Sequence, residues 1–242
     1  MAESVSISRR FNGPLESGNG GYSAGVVASS FLSGPAAVNL RRPVPLDTAL
    51  QVVRQGDGSI EVMDAGELIM DARSTPEVAI EVPEPVSVDD ARAAAARYRG
   101  LHDGLFSRCF VCGRAREDAF GVFAGEVEGR DLVASTWVPP SWTADETGQV
   151  RPEFVWAVLD CPTYFALYAG GELPLSVLAS LTARLEAPAA AGAEHVVVAW
   201  PIARDGRKHH AGSAVLSADG ELLAAARALL VQVRDGDGQP GA

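Results

Sequence analysis

The chain has 242 residues, of which 47% are hydrophobic and 7% aromatic, and it carries a formal net charge of −11. That length suits one large domain or two of about 100–120 residues, and the acidic balance argues against a general binder of DNA, RNA or anionic membrane, which needs clustered Lys and Arg. No run of 18 apolar residues is present to span a bilayer, three cysteines are too few for a disulfide framework, and residues 1–11 lack the apolar stretch of a secretion signal, so a soluble cytoplasmic protein is expected.

The first predicted element is a helix, Gly20–Phe31 (GGYSAGVVASSF). It is apolar over most of its surface and is expected to be buried. Asn19 stands where an N-cap belongs. A strand segment follows at 38–45, containing Arg41 and Arg42, and another at 50–53. The turn sequences Gln55-Gly56-Asp57-Gly58-Ser59 and Asp64-Ala65-Gly66 separate short apolar runs, which implies an antiparallel sheet. Residues 77–88 read as an acidic, proline-containing linker. Residues 87–99 read as a short helix, with Ser87 as N-cap, Asp90 three residues on and the helix-favouring run 93–96.

Beyond the linker, Cys109-x-x-Cys112 opens the second half. A second apolar helix is predicted at 152–168 (PEFVWAVLDCPTYFALY), with Asp160 inside it. Pro162 disfavours α conformation at Cys161, so a kink is expected near Asp160. Strands follow at 181–188 and 194–198, with turns at Arg204-Asp205-Gly206-Arg207 and Ala218-Asp219-Gly220. The tail, 235–242, is expected to be disordered.

The chain repeats itself. Residues 66–73 read GELIMDAR and residues 220–227 read GELLAAAR, identical at five of eight positions. Each copy closes the same series of apolar helix, proline-ended strand, strand and turn. Two copies of one supersecondary unit are the physical reading, each a sheet wrapped around a central buried helix.

With these residues in hand, the chain resembles the hotdog-fold superfamily of thioesterases and dehydratases over about 6–82 and 108–234. The segments that carry the likeness are Arg41-Arg42-Pro43-Val44-Pro45-Leu46 after the first helix, Cys109-Phe110-Val111-Cys112-Gly113 with Phe120-Gly121-Val122, and Val155-Trp156-Ala157-Val158-Leu159-Asp160. The resemblance implies an α+β double hotdog: two antiparallel sheets each wrapping a central apolar helix, joined as an intramolecular pseudo-dimer. The expected boundaries are an N-terminal half at 1–82, a linker with a short helix at 83–107, a C-terminal half at 108–234 and the tail.

The phenylacetate-type thioesterases have a His-Gly-Gly before their helix and a catalytic acid within it. Here the first half keeps the glycines, as Asn19-Gly20-Gly21, and holds about Val27 at the acid position. The second half keeps the acid, Asp160, and has Pro152-Glu153-Phe154 in place of the glycines. In related homodimers acid and amide come from different subunits, so the resemblance implies a single composite site for acyl-thioester hydrolysis. The amides of Gly20, Gly21 and Tyr22, at a helix N-terminus, would polarise the carbonyl. Asp160, desolvated among apolar neighbours, would act as base. Asn19, Glu153 and Trp156 are candidate substrate contacts, and Arg41 and Arg42 candidate partners for the phosphates of coenzyme A. Asn19 also reads as a plain cap, Glu153 as a first-turn acid favoured by the helix dipole, and the arginines as surface charge.

Other readings stay in play. A non-catalytic acyl-CoA-binding or sensing module would keep affinity without Asp160. An enoyl or 3-hydroxyacyl thioester hydratase or dehydratase is disfavoured because neither helix contains His. Gly21-Tyr22-Ser23-Ala24-Gly25 matches a nucleophile-elbow pattern but lacks the preceding strand that motif needs. Cys109-x-x-Cys112 invites zinc, yet Cys161, His102, His209 and His210 supply no second paired spacing, so no metal and no cofactor is expected and the cysteines read as small half-buried thiols. Pairing of two chains into a homodimer is left open.

Overall fold

Asn19 starts the first helix: its Oδ1 accepts the Tyr22 N–H at 2.8 Å, satisfying one of the donors a helix N-terminus leaves open. Helix α1 then runs Gly20–Phe31 and helix α3 runs Pro152–Leu167, the latter beginning on a proline, where a missing N–H costs nothing. Between them α2, Val88–Ala95, is capped as its sequence suggests, with Ser87 Oγ accepting the Asp90 N–H and donating to Asp90 Oδ2. These elements belong to a computed structural model that describes residues 3–76, 79–100, 104–169, 171–172 and 174–234. The expected tail, 235–242, and His102 lie outside the described residues.

The strands are β1 (Glu3–Val5), β2 (Ala36–Leu40), β3 (Leu50–Arg54), β4 (Ile60–Asp64), β5 (Glu67–Ser74), β6 (Gly125–Glu126), β7 (Val133–Trp137), β8 (Ser176–Leu185), β9 (His195–Asp205), β10 (Lys208–Ser217) and β11 (Leu222–Gln232). Among the described residues they form one sheet, in the order β1-β3-β4-β5-β2-β8-β11-β10-β9-β7-β6, each neighbouring pair antiparallel. Outward from the middle, the order β2-β5-β4-β3-β1 on one side matches β8-β11-β10-β9-β7 on the other. The repeated octapeptides fall on β5 and β11. The proline-ended segments fall on β2 and β8, which pair with each other, Val38 opposite Leu181 and Ala36 opposite Ala183. The two expected sheets are therefore continuous, and each covers an edge the other would expose. Strands β1, β6 and β7 had no counterpart among the predicted elements.

Burial follows from what covers each face. In β9, His195 to Trp200 are all buried, because α3 packs on one side while Val86 and, from α2, Ala91 and Ala94 cover the other against Val196, Val198 and Trp200. A strand covered on both faces reads as an unbroken apolar run rather than an alternation. In β3, by contrast, Leu50 and Val52 are buried while Gln51 and Arg54 are exposed. A single main core joins both halves, with Val27, Val38 and Met70 from the first and Phe154, Leu159 and Leu181 from the second.

The two long helices cross at glycines. A Cβ on Gly21 would lie 2.5 Å from the Trp156 carbonyl oxygen and from Asp160 Cβ, and one on Gly25 would lie 2.7 Å from Glu153 Cα and 2.6 Å from Trp156 Cβ. Gly21 and Gly25 are one turn apart on one helix face, so the pattern that resembles a nucleophile elbow is a helix-contact surface. Ser23 is fully buried and its Oγ donates to the Asn19 carbonyl at 2.8 Å. No described helix is long and apolar enough to cross a membrane.

Candidate active site

The close crossing of α1 and α3 brings residues from distant parts of the chain into contact. The Gly21 N–H donates to Asp160 Oδ2 at 2.8 Å across 139 positions of sequence. Asp160 is buried, and burial pushes its carboxyl up to about 7 against the opposing pull of the Gly21 amide. The expected kink at Pro162 does not end the helix, which continues to Leu167. Pro162 withdraws the N–H that would reach the Val158 carbonyl, and side chains bond the next two carbonyls: Ser213 Oγ donates to Leu159 and Thr163 Oγ1 to Asp160, each at 2.6 Å. The backbone around Asp160 is thereby fixed from both the sheet and the helix.

A cavity of about 630 Å³ opens beside this contact. Asp160, Asn19 and Gly20 line it, and so do Arg41 and Arg42. Gly20 stands at the first helical position, where its N–H has no acceptor within the helix. A Cβ there would lie 3.3 Å from Asp160 Oδ2 and 2.9 Å from Leu178 Cδ2, so only glycine leaves the floor open. Val177 and Leu178 of β8 and Leu230 of β11 supply apolar wall. Four arginines line the same cavity: Arg41 and Arg42, and also Arg99 and Arg207. Arg41 Nε sits 2.5 Å from Asp71 and Arg42 Nη2 3.3 Å from Glu67, both arginines half exposed. Arg99 donates to the Tyr168 carbonyl at 3.0 Å, and Arg207 to the Gln232 carbonyl at 3.1 Å.

Gly21, its amide taken by Asp160, is not among the cavity-lining residues, and neither are three further residues anticipated at the site. The Tyr22 amide is held by Asn19, and its ring stacks on Phe11 at 4.3 Å between centroids. Glu153 pairs with Arg151 at 3.6 Å in the first turn of α3, the place the helix dipole favours. Trp156 is buried against Gly25. None of the three is among the cavity-lining residues. Helix periodicity placed all three on apolar helices but not on the face that meets the cavity. Arg99, Tyr164 and the seam strands were missed, because nothing local in the sequence marks which strands will meet.

The cysteines do converge. Cys109, Cys112 and Cys161 bring their Sγ atoms within 4.8 Å of one another, with Cys109 and Cys161 3.7 Å apart, and all three line the cavity. Hydrogen bonds from the Cys112 and Cys161 thiols hold the Cys109 thiol well below the usual range, while its own hydrogen bonds to Cys109 and Cys112, together with burial, push Cys161 up. Asn19 Nδ2 points at Cys109 and Cys161, 3.8 and 3.6 Å away.

No protein-family model matches the chain, and no curated protein matches it. Solved structures do. A candidate thioesterase from Novosphingobium aromaticivorans is 13% identical, with 96% of this chain and 95% of that one covered and a TM-score of 0.62. A conserved protein of unknown function with a hot dog fold, from Alicyclobacillus acidocaldarius, is also 13% identical, covering 96% and 93% at a TM-score of 0.60. The tesB protein of Mycobacterium avium subspecies paratuberculosis is 15% identical, covering 89% and 87% at a TM-score of 0.57. At these identities the likeness is one of fold, and the fold is the hotdog.

Proposed function

We propose that this hotdog-fold chain hydrolyses an acyl thioester, an acyl-CoA, at one composite site between two fused hotdog halves, residues 1–82 and 108–234, arranged as an internal pseudo-dimer. The observation that carries the proposal is that Gly20, at the start of α1, and Asp160, inside α3, line one cavity, with Asp160 held by the Gly21 amide at 2.8 Å. An amide at the start of one helix and a carboxylate inside the other are the two groups thioester hydrolysis needs, and neither half contains both.

In this reading the thioester carbonyl sits over the N-terminal turn of α1. The Gly20 N–H, free of any intrahelical acceptor, and the positive end of the helix dipole stabilise the oxyanion as it forms. Gly21 holds Asp160 at the edge of the reacting centre, from where the carboxylate takes a proton from the attacking water. The tetrahedral intermediate then collapses with cleavage of the C–S bond, and Asp160 returns its proton to the leaving sulfur, so that a free thiol departs and the carboxylate is regenerated. The acyl chain lies along Leu178, Val177 and Leu230, and a cavity of about 630 Å³ lies within the usual range for a small-molecule site.

The arginines support a CoA thioester in particular. Arg41 and Arg42 are paired with Asp71 and Glu67 at an exposed rim, where such pairs contribute little. Phosphate oxygens can replace those carboxylates, with bidentate geometry that suits guanidinium.

The test is release of free thiol from a panel of short, medium, long and aromatic acyl-CoAs, with Asp160→Asn alongside. Turnover by the wild type and a fall of about a hundredfold or more in the variant is the expected result for loss of a general base. A wild type inactive on every member, yet raised in melting temperature by acyl-CoA, would replace hydrolysis with binding alone.

A further inference from the structure

We propose that Cys109, Cys112 and Cys161 form a binding site for one zinc ion, with three thiolate ligands and a fourth position open to the cavity. The sequence offers only one close pair of cysteines. The fold supplies the third ligand, because α3 carries Cys161 to the Cys109–Cys112 turn across 52 positions.

The geometry is that of a metal site. Sulfurs bound at about 2.3 Å around a tetrahedral ion lie about 3.8 Å apart, and Cys109 and Cys161 are 3.7 Å apart. The Cys112 sulfur falls within the same 4.8 Å cluster. The turn between Cys109 and Cys112 is closed by the Gly113 N–H, which donates to the Cys109 carbonyl at 2.8 Å. Gly113 is obligatory here, since a Cβ would lie 2.5 Å from the Cys109 nitrogen and 2.6 Å from the Cys109 and Ser107 carbonyl oxygens.

The Asn19 side-chain amide lies 3.8 Å from the Cys109 sulfur and 3.6 Å from the Cys161 sulfur. Zinc binding displaces the thiol protons, and an all-sulfur set selects zinc over magnesium, calcium or manganese. Asn19 then acts as an outer-shell partner orienting the ligands. Three protein ligands with one position open is the pattern of zinc sites that accept an exchangeable ligand, and here that position faces the cavity.

The whole protein, reduced and freed of metal with chelator under anaerobic conditions, is titrated with Co(II) and then Zn(II). One Co(II) per chain is expected, with a strong thiolate-to-cobalt charge-transfer band and tetrahedral visible bands that one equivalent of Zn(II) abolishes. Zn(II) should also shield all three thiols from a thiol reagent. Cys112→Ser and Cys161→Ser should each weaken binding by about a hundredfold or more, at least the loss seen for outer-shell partners. Their far-UV circular dichroism and metal-free melting temperature separate loss of a ligand from loss of fold. Absence of the charge-transfer band, shielding of only two thiols, or a Cys161→Ser protein that binds Co(II) as the wild type does would each overturn the site.

Discussion

Asp160 is a carboxylate in a helix whose other residues from Phe154 to Leu159 are apolar and buried, and nothing in the helix's own packing requires an acid there. Among the described residues, its hydrogen-bond partner across the crossing is the amide of Gly21. Arginine at the rim is different, since Arg41 and Arg42 have carboxylate partners that explain them as surface charge unless a ligand displaces those partners. Arg42→Ala separates the two readings. Loss of one charge-assisted contact at a half-exposed site is expected to raise KM for an acyl-CoA about tenfold, while KM for an N-acetylcysteamine thioester, which lacks the phosphates, stays unchanged. An equal KM increase for both thioesters would remove the phosphate role. Elsewhere, His195 is buried against Trp137, with ring centroids 5.7 Å apart. Burial pushes its pKa below the ordinary 6.5, against the pull of the Ala193 and Trp137 backbones. The unfolded chain therefore takes up a proton that the folded chain refuses as pH falls through about 6.5, and stability is lost on acidification. His195→Phe is expected to narrow the gap between the denaturation midpoints measured at pH 7.5 and pH 5.5, and an unchanged gap would show that His195 does not contribute to it.

Among the elements, the α1–α3 crossing sets the position of everything in the floor of the cavity. Gly25→Ala tests it because two effects oppose each other. Alanine is favoured over glycine in a helix interior by about 1 kcal/mol. Here, however, its methyl would meet the Glu153 Cα at 2.7 Å and the Trp156 Cβ at 2.6 Å, a backbone atom and the root of a large side chain, neither of which swings away. Overpacking of this kind costs about 1–3 kcal/mol, so a net loss of stability in urea is expected, and a stabilised variant would show that the helices can separate freely. The helices themselves were legible in the sequence, since Asn19, Ser87 and Pro152 mark their starts by capping chemistry, and the octapeptide repeat marked β5 and β11. The glycines at the start of α1 and the acid in α3 were each legible in the sequence, and the Gly21–Asp160 hydrogen bond brings the two helices together there. Strands β6 and β7 and the meeting of Cys161 with Cys109 were not legible, because they depend on contacts between distant segments that no local period encodes. Tyr22 and Trp156 misled for the converse reason: a helix apolar nearly all round does not reveal which side faces the cavity and which faces core.

For the molecule as a whole, the matched strand orders on either side of the β2–β8 seam raise the question of whether there is one site or two. A second site would lie where the first turn of α3 meets the middle of α1. That turn begins with Pro152, which has no N–H to offer, and Val27, about where the acid would stand, is fully buried. The space around the turn is filled with rings: Phe154 packs against Phe11, Tyr22 and Trp142 at centroid distances of 5.7, 5.4 and 5.3 Å, and Phe110 contacts Tyr22 at 5.5 Å. Such pairs add stability beyond the area they bury, so this part of the fold carries core packing. On the proposed reading of a single site, one ligand binds per chain. Calorimetric titration with a non-hydrolysable thioether analogue of an acyl-CoA is expected to saturate at one equivalent, and Asp160→Asn, which keeps the cavity, should bind with the same stoichiometry. Saturation at two equivalents would mean that the aromatic cluster opens to a second ligand and that the two halves act as equals.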